Sequence, residues 1–446
     1  MIARSVLFSL TLAAAPLAAQ APADTAVPRT IAPAADQLTL ADALERALRV
    51  QPATVQARGN LRNAGAQQRS AYGAFLPNIN ASSNASTSFA EGRSRVDPVT
   101  SQVVSGDRTN KSLSMGLNGS LELWTGLRRG ADIAAANATD RSAQANLVSA
   151  RFSVIQQTTA AYLDALAAQQ TVEVRVASVR RAQEQLKVSV AKLHAGSATR
   201  SDSLRSEVNL GNARVQLLNA EIQQATAEAS LGRLVGAPGR VAAVDDSAYG
   251  VLVPVDTTGL RAEALASAPQ VRSADASADL ARAQVRSAYA AYSPTLSLSG
   301  NYSFSGSSQD LSQNPLYNQR SLSLGLSWPL FNRFQREQTV VTRQSNADLA
   351  AAQAADARRQ VEAGLTQRLA ELAAARVRIG ITQSSVLAAR EDLRVIGERY
   401  RLGAATIVDV LTSQEALTQA EVDVVNARFD YLRAKAQIEA LIGRTL

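Results

Sequence analysis

Four segments of the chain alternate apolar and polar residues with a period of two, which is the pattern of a β-strand with two different faces. The clearest segment sets Leu113, Met115 and Leu117 on one face and small polar residues on the other. The four segments form two predicted hairpins, at residues 77–124 and 294–331. Their polar faces carry Ser, Asn and Thr with little charge. Each segment runs about ten residues, the length of a tilted transmembrane strand.

A soluble sheet with one buried face would show the same alternation in any single segment. Four such segments, in a chain whose N-terminus has the features of an export signal, favour a membrane-spanning sheet instead. Four strands are too few to close a barrel, and lipid does not tolerate an open sheet edge. The pattern therefore predicts an oligomer of at least two copies, and three copies would supply twelve strands.

Long helices are predicted between and after the hairpins. Residues 127–195 and 334–402 contain no proline and are rich in Ala, Gln, Arg, Leu and Val. At a rise of 1.5 Å per residue, each stretch would reach on the order of 100 Å, a length that indicates a coiled coil. Shorter return helices are predicted at about 204–235 and 411–442.

The two halves of the chain repeat one another. Residues 70–77 match 287–294 at an offset of 217, and Gly196 matches Gly403 at an offset of 207. We therefore predict an internal duplication, with a first repeat at 38–240, a linker at 241–259 and a second repeat at 260–446.

The N-terminus has the features of a cleaved signal peptide over residues 1–20. Arg4 precedes a short apolar stretch, and small residues follow at a plausible cleavage site. Residues 21–37 are rich in Ala, Pro and Asp, which predicts a flexible segment. No cysteine follows the signal, so lipid attachment to a mature N-terminal cysteine is not expected.

Composition excludes several classes of protein. The chain has 446 residues, no Cys and one His, so disulfide frameworks, thiolate nucleophiles and multi-histidine metal centres are ruled out. The net charge of +8 is spread along the helices rather than gathered in a block, which predicts no nucleic-acid partner. No nucleotide loop, nucleophile motif or metal constellation is present in the sequence, so we expect neither an enzyme nor a cofactor.

Two turns join the long helices to their return helices, at residues 194–202 and 402–409. Gly196 and Gly403 fit a left-handed helix end. Thr199 and Thr406 can cap the next helix, with Asp202 and Asp409 three residues later completing a capping box.

Aromatic residues gather at the strand ends, where an interfacial girdle is expected in a membrane protein. These residues are Tyr72, Phe75, Trp124, Tyr292, Trp328 and Phe331.

Residues 398–411 (ERYRLGAATIVDVL) and 426–432 (NARFDYL) resemble the TolC family of outer-membrane channels. The resemblance extends over about residues 38–443. It implies an α+β membrane protein: a trimeric β-barrel with four strands per chain, continued by a long periplasmic coiled-coil α-barrel. It also implies an outer-membrane location and three kinds of partner, namely two further copies of the chain, a periplasmic adaptor and an inner-membrane pump.

The resemblance also assigns roles at the turns. Asp409 matches a pore-narrowing acidic position, Asp202 the acidic residue of the first turn, and Tyr400 a residue that helps to hold a closed state. The turns themselves, with Gly196, Thr199, Gly403 and Thr406, would dock the adaptor. Ala405 and Thr412 depart from the family pattern, since a basic latch residue and a second acidic ring residue can stand there.

These observations predict an exit duct of a tripartite efflux or type I secretion system, which conducts substrates passively and is gated at its periplasmic helical tip. The alternative is a periplasmic coiled-coil scaffold or adaptor without a membrane barrel. The sequence does not distinguish efflux from secretion, because the duct does not choose the substrate.

Overall fold

The computed structural model of the chain describes residues 36–90, 92, 95, 96, 98, 99, 101, 103, 104, 108–244, 259–308 and 316–444. The predicted signal peptide and nearly all of the predicted flexible segment lie outside these residues, as does most of the predicted linker. None of the helices in the described part of the chain combines the length and the apolar character needed to cross a membrane.

The four alternating segments form one antiparallel sheet. Its strands, in chain order, are β2 (Asn78–Ala90), β5 (Arg108–Trp124), β7 (Thr295–Ser308) and β8 (Tyr317–Ser327). Their spatial order is β2-β5-β7-β8, so the two hairpins join through the β5–β7 pair. A short pair, β3 (Arg95–Val96) with β4 (Val103–Val104), lies between β2 and β5 in the chain.

The register places apolar side chains on one face and polar side chains on the other. Leu117 pairs with Tyr302, and Leu298 pairs with Leu324. On the opposite face the Ser299 and Ser323 hydroxyls lie 2.7 Å apart, and Ser86 and Ser112 make the same contact between β2 and β5. Since a shift by one residue would exchange the two faces, the alternation of each strand specifies the register.

The apolar face of β8 is uncovered within the chain. Leu322, Leu324 and Leu326 are 64–77% exposed. The outer edges of β2 and β8 also have no strand partner in the described part of the chain. An exposed apolar face between two open strand edges is a surface that has to be covered by something else.

Two helix hairpins dominate the rest of the fold. The first comprises α3 (Arg128–His194) and α4 (Arg200–Val235), and the second comprises α7 (Gln335–Arg401) and α8 (Ile407–Ile442). The long helices have 67 residues each and the return helices 36. Alanine is frequent in all four helices, and its small side chain favours helix while permitting close packing.

Four shorter helices precede the strands: α1 (Leu40–Val50), α2 (Pro52–Gly73), α5 (Leu260–Ser267) and α6 (Pro269–Tyr289), the last followed by a 3-10 turn at Ala290–Tyr292. Pro52 and Pro269 stand at the first position of α2 and α6, where a missing N–H costs nothing. α2 packs on α3, while α6 packs on both α3 and α7.

The main hydrophobic core lies around the middle of α3. Tyr162 is 1% exposed, and its hydroxyl shares its one proton between the carbonyl oxygens of Leu38 (3.1 Å) and Val244 (2.6 Å). These carbonyls flank a short parallel pair, β1 (Asp36–Leu38) with β6 (Val241–Ala243). Phe429 and Ile438 of α8 complete the core from the second hairpin.

The β1–β6 pair lies across two predicted boundaries. Residues 36 and 37, assigned to the flexible segment, are part of β1, and residues 241–243, assigned to the linker, form β6. The strands have only three residues each, so neither can show an alternating pattern. The hydroxyl of Tyr162, which is far away in the sequence, contacts the carbonyls at the ends of both strands.

Candidate functional site

The first helix turn, residues 195–199, ends α3 in a Schellman motif. Gly196 has φ +69°, and its N–H donates to the Leu193 carbonyl at 3.0 Å. The Ser197 N–H donates to the Lys192 carbonyl at 2.9 Å. These bonds satisfy carbonyls that a helix end leaves without partners, and the left-handed residue between them is best supplied by glycine.

The second helix turn, residues 402–406, has the same construction at the end of α7. Gly403 has φ +79° and donates to the Tyr400 carbonyl at 3.2 Å, while Ala404 donates to the Arg399 carbonyl at 2.7 Å. Nothing lies within 4 Å of the position that a Cβ would take at Gly196 or Gly403. Backbone conformation alone therefore favours glycine at both sites.

The return helices begin with the two predicted capping boxes, which the structure confirms. Thr199 N donates to Asp202 Oδ2 (2.9 Å), and Asp202 N donates to Thr199 Oγ1 (3.2 Å). In the second turn, Thr406 N donates to Asp409 Oδ2 (2.8 Å) and Asp409 N to Thr406 Oγ1 (3.3 Å). These bonds hold both carboxylates in place, and Asp409 is exposed to solvent while Asp202 is partly exposed.

Hydrogen bonds hold the pKa of Asp409 below its usual value. The Thr406 backbone N–H contributes most, followed by the Thr406 hydroxyl and then by the positive charge of Arg399. The N-terminal end of α8 also favours a negative charge. Because the folded-state pKa is depressed, the cap stabilises the fold at pH values above the unfolded pKa. This stabilisation is lost as the pH falls through the folded pKa.

Tyr400 connects the second turn to the end of α3. Its side chain is 6% exposed and packs with Ile407 and Val410. Lys192 Nζ lies 4.2 Å from the centre of the Tyr400 ring and donates to the Tyr400 carbonyl at 2.5 Å and the Arg401 carbonyl at 3.3 Å. The two helix turns therefore lie at the same end of the paired hairpins.

Sequence reasoning missed Lys192. A lysine in the last turn of α3 is expected from the helix dipole alone. Nothing in the sequence indicates that the carbonyls it binds belong to the other hairpin, about 200 residues away.

A groove runs between α4 and α8 beside the two turns. Its volume is about 730 Å³. Arg205 and Glu415 contribute charged groups to its lining. Apolar side chains line most of it, and they include Leu204, Val208, Val408 and Leu411. Leu204 and Val208 are more than half exposed, so this strip of α4 has no covering partner in the described part of the chain.

The predicted interface aromatics lie at the opposite end, where the strands meet the long helices. All six are 37–71% exposed: Tyr72, Phe75, Trp124, Tyr292, Trp328 and Phe331. Two arginines that the sequence analysis did not single out lie over them. The Arg129 guanidinium is 4.9 Å from the Phe75 ring centre, and that of Arg336 is 4.7 Å from the Tyr292 ring centre.

Each of these arginines also binds backbone carbonyls at the end of a strand or just after it. Arg336 donates to the carbonyls of Pro329 (2.6 Å) and Leu330 (3.0 Å), and Arg129 donates to the Glu122 carbonyl. Both junctions pass through two consecutive left-handed residues, at 126–127 and 333–334. The same unusual backbone and the same arginine contacts therefore occur once in each half of the chain.

The family model described as outer membrane efflux protein matches residues 43–237 and 260–444. The chain belongs to this family. It is also similar to the TolC channels, including TolC of Escherichia coli, with 29% identity over 177 residues that cover 37% of this chain and 36% of that protein.

Two further relatives extend the comparison of this outer membrane efflux protein. Alkaline protease secretion protein AprF of Pseudomonas aeruginosa is 29% identical over 298 residues, which are 64% of this chain and 60% of AprF. Pyoverdine export outer membrane protein OpmQ of Pseudomonas putida is 26% identical over 355 residues, 76% of this chain and 72% of OpmQ.

Solved structures of outer membrane channels show the same fold. VceC of Vibrio cholerae matches with a TM-score of 0.72 at 20% identity, covering 91% of this chain and 96% of VceC. The CmeC channel of Campylobacter jejuni matches with a TM-score of 0.73 at 20% identity, covering 91% of this chain and 85% of CmeC. The predicted family and the predicted combination of sheet and long helices are confirmed.

Proposed function

We propose that this outer membrane efflux protein is the exit duct of a tripartite efflux or type I secretion system. One observation carries the proposal: the two matching helix turns present helix-capped carboxylates, Asp409 exposed and Asp202 partly exposed, at one end of the hairpins. The other end carries a sheet with an uncovered apolar face. Such a chain has a membrane end and a gate end. Substrates would pass from an inner-membrane pump and a periplasmic adaptor, through the duct, to the outside.

We infer that the duct is a homotrimer. The β2 edge of one copy would pair with the β8 edge of the next, which satisfies the backbone groups that lipid cannot solvate. Strands of 11–17 residues are long enough to span the outer membrane when tilted. Three copies give a closed twelve-stranded barrel with leucines outside and serines inside.

An internal duplication fits this arrangement. Both hairpins have helices of 67 and 36 residues, both turns have the same bonds, and the family model matches in two segments. A trimer of duplicated chains would place six similar hairpins in one periplasmic tube.

The gate would lie where the six turns meet. Three copies of Asp202 and Asp409 place up to six carboxylates around the pore, and a ring of negative charge favours cations over anions. Opening would require the hairpins to move apart near the turns, a change between two packings that partner contacts can bias. The turns, with the groove between α4 and α8, form a surface suited to the helices of an adaptor.

Recording from purified protein in a planar lipid bilayer tests the proposal. We expect small, cation-preferring current steps, because the resting tip is narrow and acidic. Failure to insert, together with solubility in buffer without detergent, would instead support a periplasmic coiled-coil scaffold.

Replacing Asp202 and Asp409 by asparagine is expected to reduce the preference for cations. Asparagine keeps an oxygen that can accept the capping bond, so the charge is removed with little change in the turn. The unmodified channel should keep its preference into mildly acidic solution, because the pKa of Asp409 is lowered. Reversal potentials in asymmetric KCl at several pH values measure both effects.

The matched control is Asp348→Asn, which removes one carboxylate from α7 about 80 Å from the second turn. Equal cation preference in the double variant and the unmodified channel would contradict the acidic ring.

A further inference from the structure

Polar bridges join the two hairpins of one chain along α3. Arg433 of α8 binds Asp164 at 3.0 Å. Farther along, Arg181 binds Glu421 at 2.9 Å and the Thr418 hydroxyl at 3.0 Å. Beyond these two bridges, close to the turns, Lys192 reaches the end of α7. The bridges thus continue along the seam between the hairpins to the proposed gate.

Lys192 differs from the other two bridges because its ammonium group pairs with no carboxylate among the described residues. Its ammonium group donates to the Tyr400 and Arg401 carbonyls, which belong to the last turn of α7. Carbonyls in a last turn carry the negative end of the helix dipole. Lys192 itself lies in the last turn of α3, so one positive charge sits between two negative helix ends.

The Tyr400 ring supplies the third contact. A cation 4.2 Å from a ring centre is within the range of a favourable cation–π interaction. Tyr400 Oη is buried and has no hydrogen-bond partner in the described part of the chain. The contact between the hairpins therefore uses the face of the ring and the backbone carbonyls rather than the hydroxyl.

We propose that Lys192 is a positioning residue of the gate. It holds the α7 end of the second hairpin against α3, and the two turns separate only when its ammonium group leaves the ring and the carbonyls. The inference rests on the proposed function, since it concerns the gate of that duct. The inference adds a bridge within one chain, in which a lysine ammonium group binds the carbonyls at the C-terminal end of another helix.

Four variants test the bridge in bilayer recordings. Lys192→Met keeps the aliphatic stem and removes the charge, and we expect a roughly tenfold increase in the ratio of open to closed time, from losing a cation–π contact and charged hydrogen bonds. Lys192→Arg should restore most of the closed time. Tyr400→Leu should resemble Lys192→Met, whereas Tyr400→Phe, which keeps the ring face, should retain more of the closed time than Tyr400→Leu.

The control is Lys187→Met, one turn and a half earlier on α3. Lys187 is 72% exposed and bonds only with Glu184 of its own helix in the described part of the chain, so gating should not change. Unchanged gating in both Lys192→Met and Tyr400→Leu would overturn the proposal, as would an equal effect of Lys187→Met.

A distance measurement separates the bridge from the pore. The chain has no cysteine, so cysteines at Ser197 and Ala404 can carry nitroxide labels at unique positions. The chain with two cysteines is co-expressed with an excess of the cysteine-free chain and labelled after purification. Most trimers then carry at most one labelled chain, so distances within one chain dominate the signal. Double electron–electron resonance should show a longer and broader distribution of label-to-label distances in Lys192→Met than in the labelled protein that keeps Lys192.

The bilayer recording and the label-to-label distance test the duct and the Lys192 bridge separately. If the unmodified protein makes no conducting pore, the proposed duct is wrong, while the label distance still decides whether Lys192 holds the hairpins together. An unchanged distance in Lys192→Met contradicts the bridge even if the pore conducts as expected.

Discussion

The Leu324→Arg substitution is expected to abolish assembly of the proposed trimer in the outer membrane. Leu324 lies on the uncovered apolar face of the sheet, paired with Leu298 of β7. An arginine facing lipid near the middle of the bilayer costs about 2–4 kcal/mol, and the trimer would carry three. The yield of heat-resistant trimer in purified outer membranes measures the effect.

The adjacent Ser323→Arg substitution is the matched control. Ser323 lies on the opposite face of β8, where its hydroxyl meets that of Ser299 at 2.7 Å. If this face lines a water-filled interior, the guanidinium stays solvated and trimers form. A trimer that tolerates Leu324→Arg and rejects Ser323→Arg would show that the two faces are assigned the wrong way round.

The Gly403→Glu substitution is expected to abolish export while leaving trimers intact. Gly403 has φ +79°, and a side chain there costs about 1–2 kcal/mol in backbone conformation. No atom lies within 4 Å of the new Cβ, so the long hairpin persists. The substitution places a further negative charge on the surface that would meet the adaptor. Substrate accumulation in cells and the yield of trimer are measured together.

Gly380→Glu provides the comparison. Gly380 lies within α7, has an ordinary helical backbone and also has no atom within 4 Å of the position that a Cβ would take. The substitution introduces the same charge far from the turns and should leave export unchanged. Normal export in Gly403→Glu would argue against docking at the turns.

Local signals explain what the sequence predicted well. The long helices were expected at 127–195 and 334–402, and α3 and α7 occupy Arg128–His194 and Gln335–Arg401. The glycine that ends each helix acts on bonds within six residues of itself, and the threonine that begins the next acts within three. Such bonds do not depend on the rest of the fold.

Contacts between distant residues explain what the sequence did not predict. The alternation of apolar and polar residues predicted four strands, but the pairing of β5 with β7 depends on how the two halves of the chain pack. Lys192 meets Tyr400 only because the hairpins lie side by side. The left-handed pair at Arg333 and Phe334 carries no glycine to signal it, and the nearby Arg336 binds the Pro329 carbonyl across it.

The β5–β7 pair also determines how long the newly made chain stays incomplete. Leu117 finds its partner Tyr302 only after the whole first helix hairpin has been synthesised. At about 5–20 residues per second, roughly ten to forty seconds pass before that partner leaves the ribosome. Until then, one edge of β5 has no strand partner, a state prone to aggregation. The order of synthesis therefore leaves one half of the sheet exposed to edge-to-edge aggregation for that interval.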